Sequence, residues 1–297
     1  MKNVITCVAA QKDGDLIRAA LQVAEKALND AGITPTMPDW LAEDKAADIR
    51  FESDKPSHIN MLRENLQVEG VDIFIQPDDA HRKKRLLVAD MDATILQGET
   101  IDDMAADYGI GDKIAPITAR AMRGEIEFAK ALEERMYLFK GMPLEKVYAI
   151  LDSISYTPGA EALVKTMTAH GHKCMLVSGG FDIFTVRVAE TLGFWKNFGN
   201  TLGMDDTALT GVITPPLVDK QFKKDRLLEE TKALGLETRD VIAVGDGAND
   251  IPMLQAAGVG VGFHGKPAVQ AATPFQVRYG DLTALLYLQG YGDAEAF

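Results

Sequence analysis

The chain has 297 residues, 46% of them hydrophobic, and a formal net charge of -13. That length allows one large or two ordinary domains with a sizeable core. The acidic balance disfavours non-specific binding to nucleic acid or to anionic membranes, although a metal ion and a few lysines can still make one cleft locally positive. No apolar span is long enough for a transmembrane helix, and Met1 to Thr6 run into a strand-like segment with no signal-peptide pattern. Cys7 and Cys174 lie in apolar stretches. The expectation is a cytoplasmic protein with reduced core thiols.

Residues 1–80 are expected to form a small α/β domain. Val4 to Ala10 has the texture of a strand, and Asp15 to Asn29 carries Ile17, Leu21, Ala24 and Leu28 at helical spacing before Ala31-Gly32 ends the helix. Ile33 to Glu43, with Pro35, Pro38 and Trp40, has no assignable pattern. A strand is predicted at Ile49 to Glu52, a helix at Ile59 to Leu66 and a strand at Val71 to Gln76. The basic run His81-Arg82-Lys83-Lys84-Arg85 follows, and against so acidic a chain it is expected to be a solvated linker rather than a nucleic-acid contact.

From Arg85 onward the texture changes. The short apolar runs Leu86 to Ala89, Cys174 to Val177, Val241 to Val244 and Val259 to Val261 alternate with amphipathic helices. That alternation predicts a Rossmann-like parallel sheet covered on both faces, an α/β fold occupying residues 81–297. The stretch of about 101–151 is helical and too long for an ordinary crossover, so it is expected to cap one end of the sheet. A hairpin is predicted between Phe198 and Ile213, turning at Asp205-Asp206.

Ligands of open parallel sheets bind beyond the carboxyl ends of the strands. Three of the runs end in polar loops: Asp90-Met91-Asp92-Ala93-Thr94, Ser178-Gly179-Gly180, and Gly245-Asp246-Gly247-Ala248-Asn249-Asp250. Asp90, Asp92 and Asp246 would repel a dianionic phosphate unless a cation intervened, and carboxylates with a backbone carbonyl suit Mg²⁺. One carboxylate can then attack phosphorus while another exchanges a proton with the leaving group and with water. Asp90 is assigned as nucleophile and Asp92 as acid/base. Ser178 and the Gly179 amide, expected where a helix begins, and Lys223 would hold the phosphoryl oxygens. Read alone, each piece has an ordinary explanation as a turn, a loop or a surface lysine. The four in this order, each after a suitable strand, do not.

At these residues the chain resembles the haloacid dehalogenase superfamily. The similarity is strongest to the branch that hydrolyses O-phospho-L-serine to L-serine and phosphate, the last step of serine biosynthesis. It extends from Arg85 to Tyr291 and is carried by the three loops, by Lys223, and by Gln97-Gly98-Glu99-Thr100-Ile101-Asp102. The resemblance implies that Asp90, the Asp92 carbonyl and Asp246 bind Mg²⁺, with Asp250 supporting them. It implies that Ser178, Gly179 and Lys223 hold the phosphate, aided by Asn249. Glu99 would take the substrate ammonium, Arg135 its carboxylate, and Met122 and Phe128 would line the cap. Without the resemblance, Arg135 is a solvated or salt-bridged arginine, Glu99 a helix N-terminal acid, and Met122 and Phe128 core residues. Ala93 departs from the serine usual in the family. Residues 1–80 resemble ACT-like modules. A related phosphatase or phosphotransferase acting on another small phosphomonoester shares the same motifs. A regulatory protein in which the N-terminal domain senses an amino acid is opposed by the intact Asp90, Asp92, Lys223 and Asp246. A homodimer is left open.

Overall fold

The structure is a computed structural model and describes residues 1–123, 125–293 and 295. Its first unit contains β1 (Lys2–Ala9), α1 (Gly14–Asp30), β2 (Asp39–Ala42), β3 (Ala46–Glu52), α2 (Pro56–Asn65) and β4 (Val71–Pro77). The strands form an antiparallel sheet in the order β2-β3-β1-β4, with Ile5 opposite both Ile49 and Ile75. α1 starts at Asp13, whose carboxylate accepts from the Asp15 and Leu16 amides, which would otherwise lack partners at the helix start. Its buried stripe of Ile17, Ala20, Leu21, Ala24 and Leu28 packs on Ile5, Cys7, Ile49 and Ile75. The strand β2 falls in the stretch that had no assignable pattern.

Strand β1 is buried on both faces, so the face opposite α1 also needs a cover. It is provided by the far end of the chain. Val8 and Phe74 join the core that contains Leu285, Leu288 and Tyr291. Here the expectation of a solvated linker fails: Arg82 and Lys84 are buried. Arg82 donates to both Asp48 carboxylate oxygens at 2.7 and 2.8 Å, to Thr6 Oγ1 at 3.0 Å and to the Leu288 carbonyl at 3.2 Å. Asp72 accepts from the amides of Arg278, Tyr279 and Gly280. A run of charge alone does not reveal that Arg82 faces a carboxylate on a neighbouring sheet, or that Lys84 donates to the Arg239 carbonyl at 2.9 Å.

The second unit comprises β5 (Leu86–Ala89), α3 (Thr100–Asp107), α4 (Gly111–Met122), α5 (Phe128–Leu138), α6 (Leu144–Ser153), α7 (Ala160–Ala169), β6 (Lys173–Phe181), α8 (Asp182–Leu192), β7 (Lys196–Met204), β8 (Leu209–Thr214) and α9 (Lys220–Ala233). It continues with β9 (Val241–Gly245), α10 (Ile251–Ala256), β10 (Val259–Phe263), α11 (Pro267–Ala272), β11 (Phe275–Val277) and α12 (Ala284–Leu288). The sheet order is β11-β10-β9-β5-β6-β7-β8, parallel except for the β7–β8 hairpin. The hairpin turns where Asp205 Oδ1 accepts from the amides of Thr207 and Ala208. Strand β5 lies between β6 and β9, where the strand order reverses, and this crevice is where an open α/β sheet binds its ligand.

Helices α3 to α6 form the insert between β5 and β6. They bury Met104, Ile114, Leu132, Met136, Phe139 and Val147 in the same core as the sheet. The insert is stitched to the hairpin by reciprocal backbone bonds, Gly141 N–H to the Leu209 carbonyl and Leu209 N–H to the Met142 carbonyl. Gly211, at φ 77°, lets that hairpin approach α5: a Cβ there would lie 2.9 Å from Lys140.

Candidate active site

Asp90 follows β5 directly and is buried. Its Oδ1 accepts from the Met91 amide at 2.8 Å and lies 2.7 Å from Lys223 Nζ. Among the described residues no hydrogen bond falls on Oδ2. Lys223, from the first turn of α9, is 1% exposed and also reaches Asp250 Oδ1 at 2.7 Å. Burial would lower the lysine pKa, but Asp250 and then Asp90 outweigh it and hold the ammonium above its usual range. Asp250 is fully buried, accepts additionally from the Gly247 amide at 3.1 Å, and is pushed up to about 7 by burial and then by Asp90. Gly245 is required here, since a Cβ would stand 2.5 Å from the Asp250 side chain.

The Asp92 carboxyl turns toward the cap, where it accepts from Thr100 N–H at 3.1 Å and Thr100 Oγ1 at 3.3 Å. Burial, followed by the charges of Asp90 and Glu99, pushes its pKa up to about 8, against the Thr100 bonds. A carboxyl held near its protonated form at neutral pH can donate a proton and later accept one. Gly180 makes room for it, because a Cβ there would lie 2.8 Å from Asp92 Oδ2. The next residue, Ala93, sits at φ 49°, in the left-handed region.

Ser178 is buried, and its Oγ accepts from the Gly180 amide at 2.9 Å. The expectation that Ser178 and Gly179 begin a helix is not met: β6 continues to Phe181 with an irregularity in its pairing, and α8 starts at Asp182. The buried Asn200 ties this loop to the segment before α9, donating to the Gly179 carbonyl and accepting from the Val218 amide, each at 2.8 Å. Sequence reading missed Asn200.

Asp246 follows β9, and burial raises its pKa against the pull of Lys266, which lies 2.9 Å away. Carboxylate oxygens of Asp90, Asp246 and Asp250 all lie within 4.8 Å of one another. This donor set fits a divalent cation. The oxygens are hard, the sites are buried, and Lys223 and Lys266 do not balance the carboxylates of Asp90, Asp246, Asp250 and Glu99. Asp250 is committed to Lys223 and Gly247, so Asp90 and Asp246 are the carboxylates available to such an ion. Asn249 is exposed on the same loop.

From the cap, Glu99 is the N-cap residue of α3, and burial is the main cause of its raised pKa. Arg135, on α5, is half-buried and its Nε donates to the Ala131 carbonyl at 3.3 Å. It makes no ion pair among the described residues, whereas its neighbours are engaged elsewhere, Lys130 with Glu133 and Arg120 with Glu134. Burial lowers the Arg135 pKa, opposed by the charges of Asp102 and Glu99. Phe128 is 38% exposed rather than core, and a Cβ at Gly179 would lie 3.7 Å from its Cζ, so the insert reaches the Ser178-Gly179-Gly180 segment. Met122 closes α4, but its side chain lies outside the described residues.

A sequence model of the haloacid dehalogenase-like hydrolases matches residues 87–255, and the chain belongs to that family. Phosphoserine phosphatases are among the curated relatives it matches. One from Lactococcus lactis is 43% identical over 213 residues, 71% of this chain and 99% of the relative. Another from Archaeoglobus fulgidus is 43% identical over 211 residues, 70% of this chain, and the match spans only 61% of that longer relative. The solved structure of a haloacid dehalogenase family hydrolase from Salmonella enterica serovar Typhi superposes with a TM-score of 0.82 at 30% identity, covering 96% of this chain and 98% of the other. No described helix is long and apolar enough to cross a membrane.

Proposed function

We propose that the chain is a phosphoserine phosphatase, hydrolysing O-phospho-L-serine to L-serine and inorganic phosphate through a phosphorylated Asp90. The observation that carries this reading is the buried Lys223 ammonium, 2.7 Å from both Asp90 and Asp250, beside Asp246 at the strand ends. The substrate follows from the two 43%-identical relatives. The chain divides into an ACT-like domain, residues 1–80, and a phosphatase domain, residues 81–297, capped by about 101–151. The separate sheets support that division.

Asp90, Asp246 and the Asp92 backbone carbonyl would hold Mg²⁺, which when bound supplies charge neutralisation and orientation for the phosphoryl group. One carboxylate oxygen of Asp90 attacks phosphorus. The bond from phosphorus to the seryl oxygen breaks, and Asp92 gives that oxygen its proton, releasing serine. Asp92, now ionised, takes a proton from a water that attacks the phosphorus of the acyl phosphate, and phosphate leaves as the Asp90 carboxylate is restored. Lys223, Ser178 and the Gly179 amide hold the phosphoryl oxygens, with Asn249 supporting them. Arg135 takes the substrate carboxylate and Glu99 its ammonium, with Phe128 lining the cap.

The test is phosphate release from O-phospho-L-serine with Mg²⁺ and after chelation, together with acid trapping of labelled enzyme. Metal-dependent release and label on Asp90 are expected. Label on another residue, or unchanged turnover in Asp90→Asn, overturns the mechanism.

A further inference from the structure

Lys266 belongs to no motif that the sequence singles out, yet it stands inside the carboxylate cluster. It lies in the turn between β10 and α11, just before Pro267. Its own amide donates to the Asp246 carbonyl at 3.0 Å, and the neighbouring His264, at φ 45°, donates its amide to the Val277 carbonyl. The turn is thereby tethered to the residue that its side chain reaches. Lys266 Nζ lies 2.9 Å from Asp246 Oδ2 and 3.7 Å from Glu99 Oε1. The two lysines divide the cluster. Lys223 is sealed between Asp90 and Asp250, while Lys266 is half-exposed between Asp246 and Glu99. A sealed lysine is fixed in place. One at the end of a half-exposed four-carbon stem can swing out, because water can solvate it.

We propose that Lys266 is a built-in counter-cation of this site, holding Asp246 and Glu99 in place and yielding Asp246 to the divalent ion. This rests on the Mg²⁺ reading above. Both cations seek the same carboxylate, and two positive charges at such separations repel even when the surroundings screen them. Lys266 therefore lowers the affinity for the ion while offsetting the repulsion between the Asp246 and Glu99 carboxylates. It acts through Asp246 and Glu99 and is a positioning residue.

The experiment compares wild type, Lys266→Met, Lys266→Gln and Lys266→Arg by calorimetric titration with MgCl₂ and by thermal unfolding with and without Mg²⁺. The Met and Gln variants should bind Mg²⁺ about tenfold more tightly. Without metal they should melt lower than wild type, and the gain in Tm on adding Mg²⁺ should be larger. Lys266→Arg keeps the charge and should stay within about threefold of wild type. Equal or weaker Mg²⁺ affinity in both neutral variants overturns the counter-cation role while leaving the metal reading intact. If wild type itself binds no Mg²⁺, both readings fall. Should one neutral variant fail to fold, the other and the Arg variant give the same comparison.

Discussion

Replacing Arg135 with alanine tests the role proposed for it, recognition of the amino-acid end of the substrate apart from the phosphate chemistry. The guanidinium is half-buried on α5, and its hydrogen bond in the structure is to the Ala131 carbonyl, 3.3 Å away and one turn back on the same helix. It has no carboxylate partner among the described residues, and burial already lowers its pKa. The cost of stripping water from the cation is therefore partly met before substrate arrives. Truncation removes no existing ion pair, so the melting temperature should barely change. What is lost is the partner of a carboxylate desolvated under the cap, typically 2–5 kcal/mol, or roughly 30- to 5,000-fold in kcat/KM. Phosphoethanolamine keeps the ammonium but lacks the carboxylate, and p-nitrophenyl phosphate lacks both. Steady-state kcat/KM on the three substrates should show a large loss for phosphoserine and small losses for the others. Equal losses on all three would mean that Arg135 shapes the cap, and the specificity argument would fail.

Asp92→Asn should lower turnover of phosphoserine by about 10²–10⁴, the range for general acid–base catalysis, and that of p-nitrophenyl phosphate far less, because its leaving group hardly needs a proton. Parallel losses would exclude the acid role. Ala93→Gly should raise stability by about 0.5–1 kcal/mol, since a left-handed alanine costs about 1–2 kcal/mol and the freer unfolded glycine chain returns part of it; denaturant unfolding that shows destabilisation would refute this. Arg82→Met removes the two short bonds to the fully buried Asp48 carboxylate and leaves it Thr6 at 2.7 Å and Arg50 at 3.4 Å, so the loss should be at most about 3–5 kcal/mol, or on the order of 6–20 °C in Tm. Adding Asp48→Asn should recover part of that loss, and an unchanged Tm in the single variant would show that the cluster carries no stability.

The parallel sheet was legible because each of its central strands is buried on both faces and so reads as an unbroken apolar run. The helix α1 was legible because one stripe of it faces a sheet. β2 was not: it is a four-residue edge strand whose Asp39 and Trp40 are exposed, so neither alternation nor an apolar run marks it. The buried linker was illegible for a different reason. Arg82 reads as a surface charge until the fold brings Asp48 and Thr6, far away in sequence, within hydrogen-bond reach.

In the site, the residues at strand ends or strand irregularities could be found from local pattern, because Asp90 and Asp246 directly follow β5 and β9 and Ser178 lies in β6 where its pairing is interrupted. Those that depend on packing between elements could not. Arg135 lies amid charged residues on a helix, and only the pairing of its neighbours with one another leaves it without an acidic partner. Asn200 joins Gly179 to the segment leading to Lys223, a role that no spacing along the chain encodes. Lys266 is the intermediate case. Gly265-Lys266-Pro267 follows the carboxyl end of β10, so the rule that led to the other three loops reaches it too. It escaped because a single lysine beside a proline has an ordinary explanation as a turn. Its chemistry begins only when the adjacent β9 delivers Asp246 and the cap delivers Glu99 to the same few ångströms.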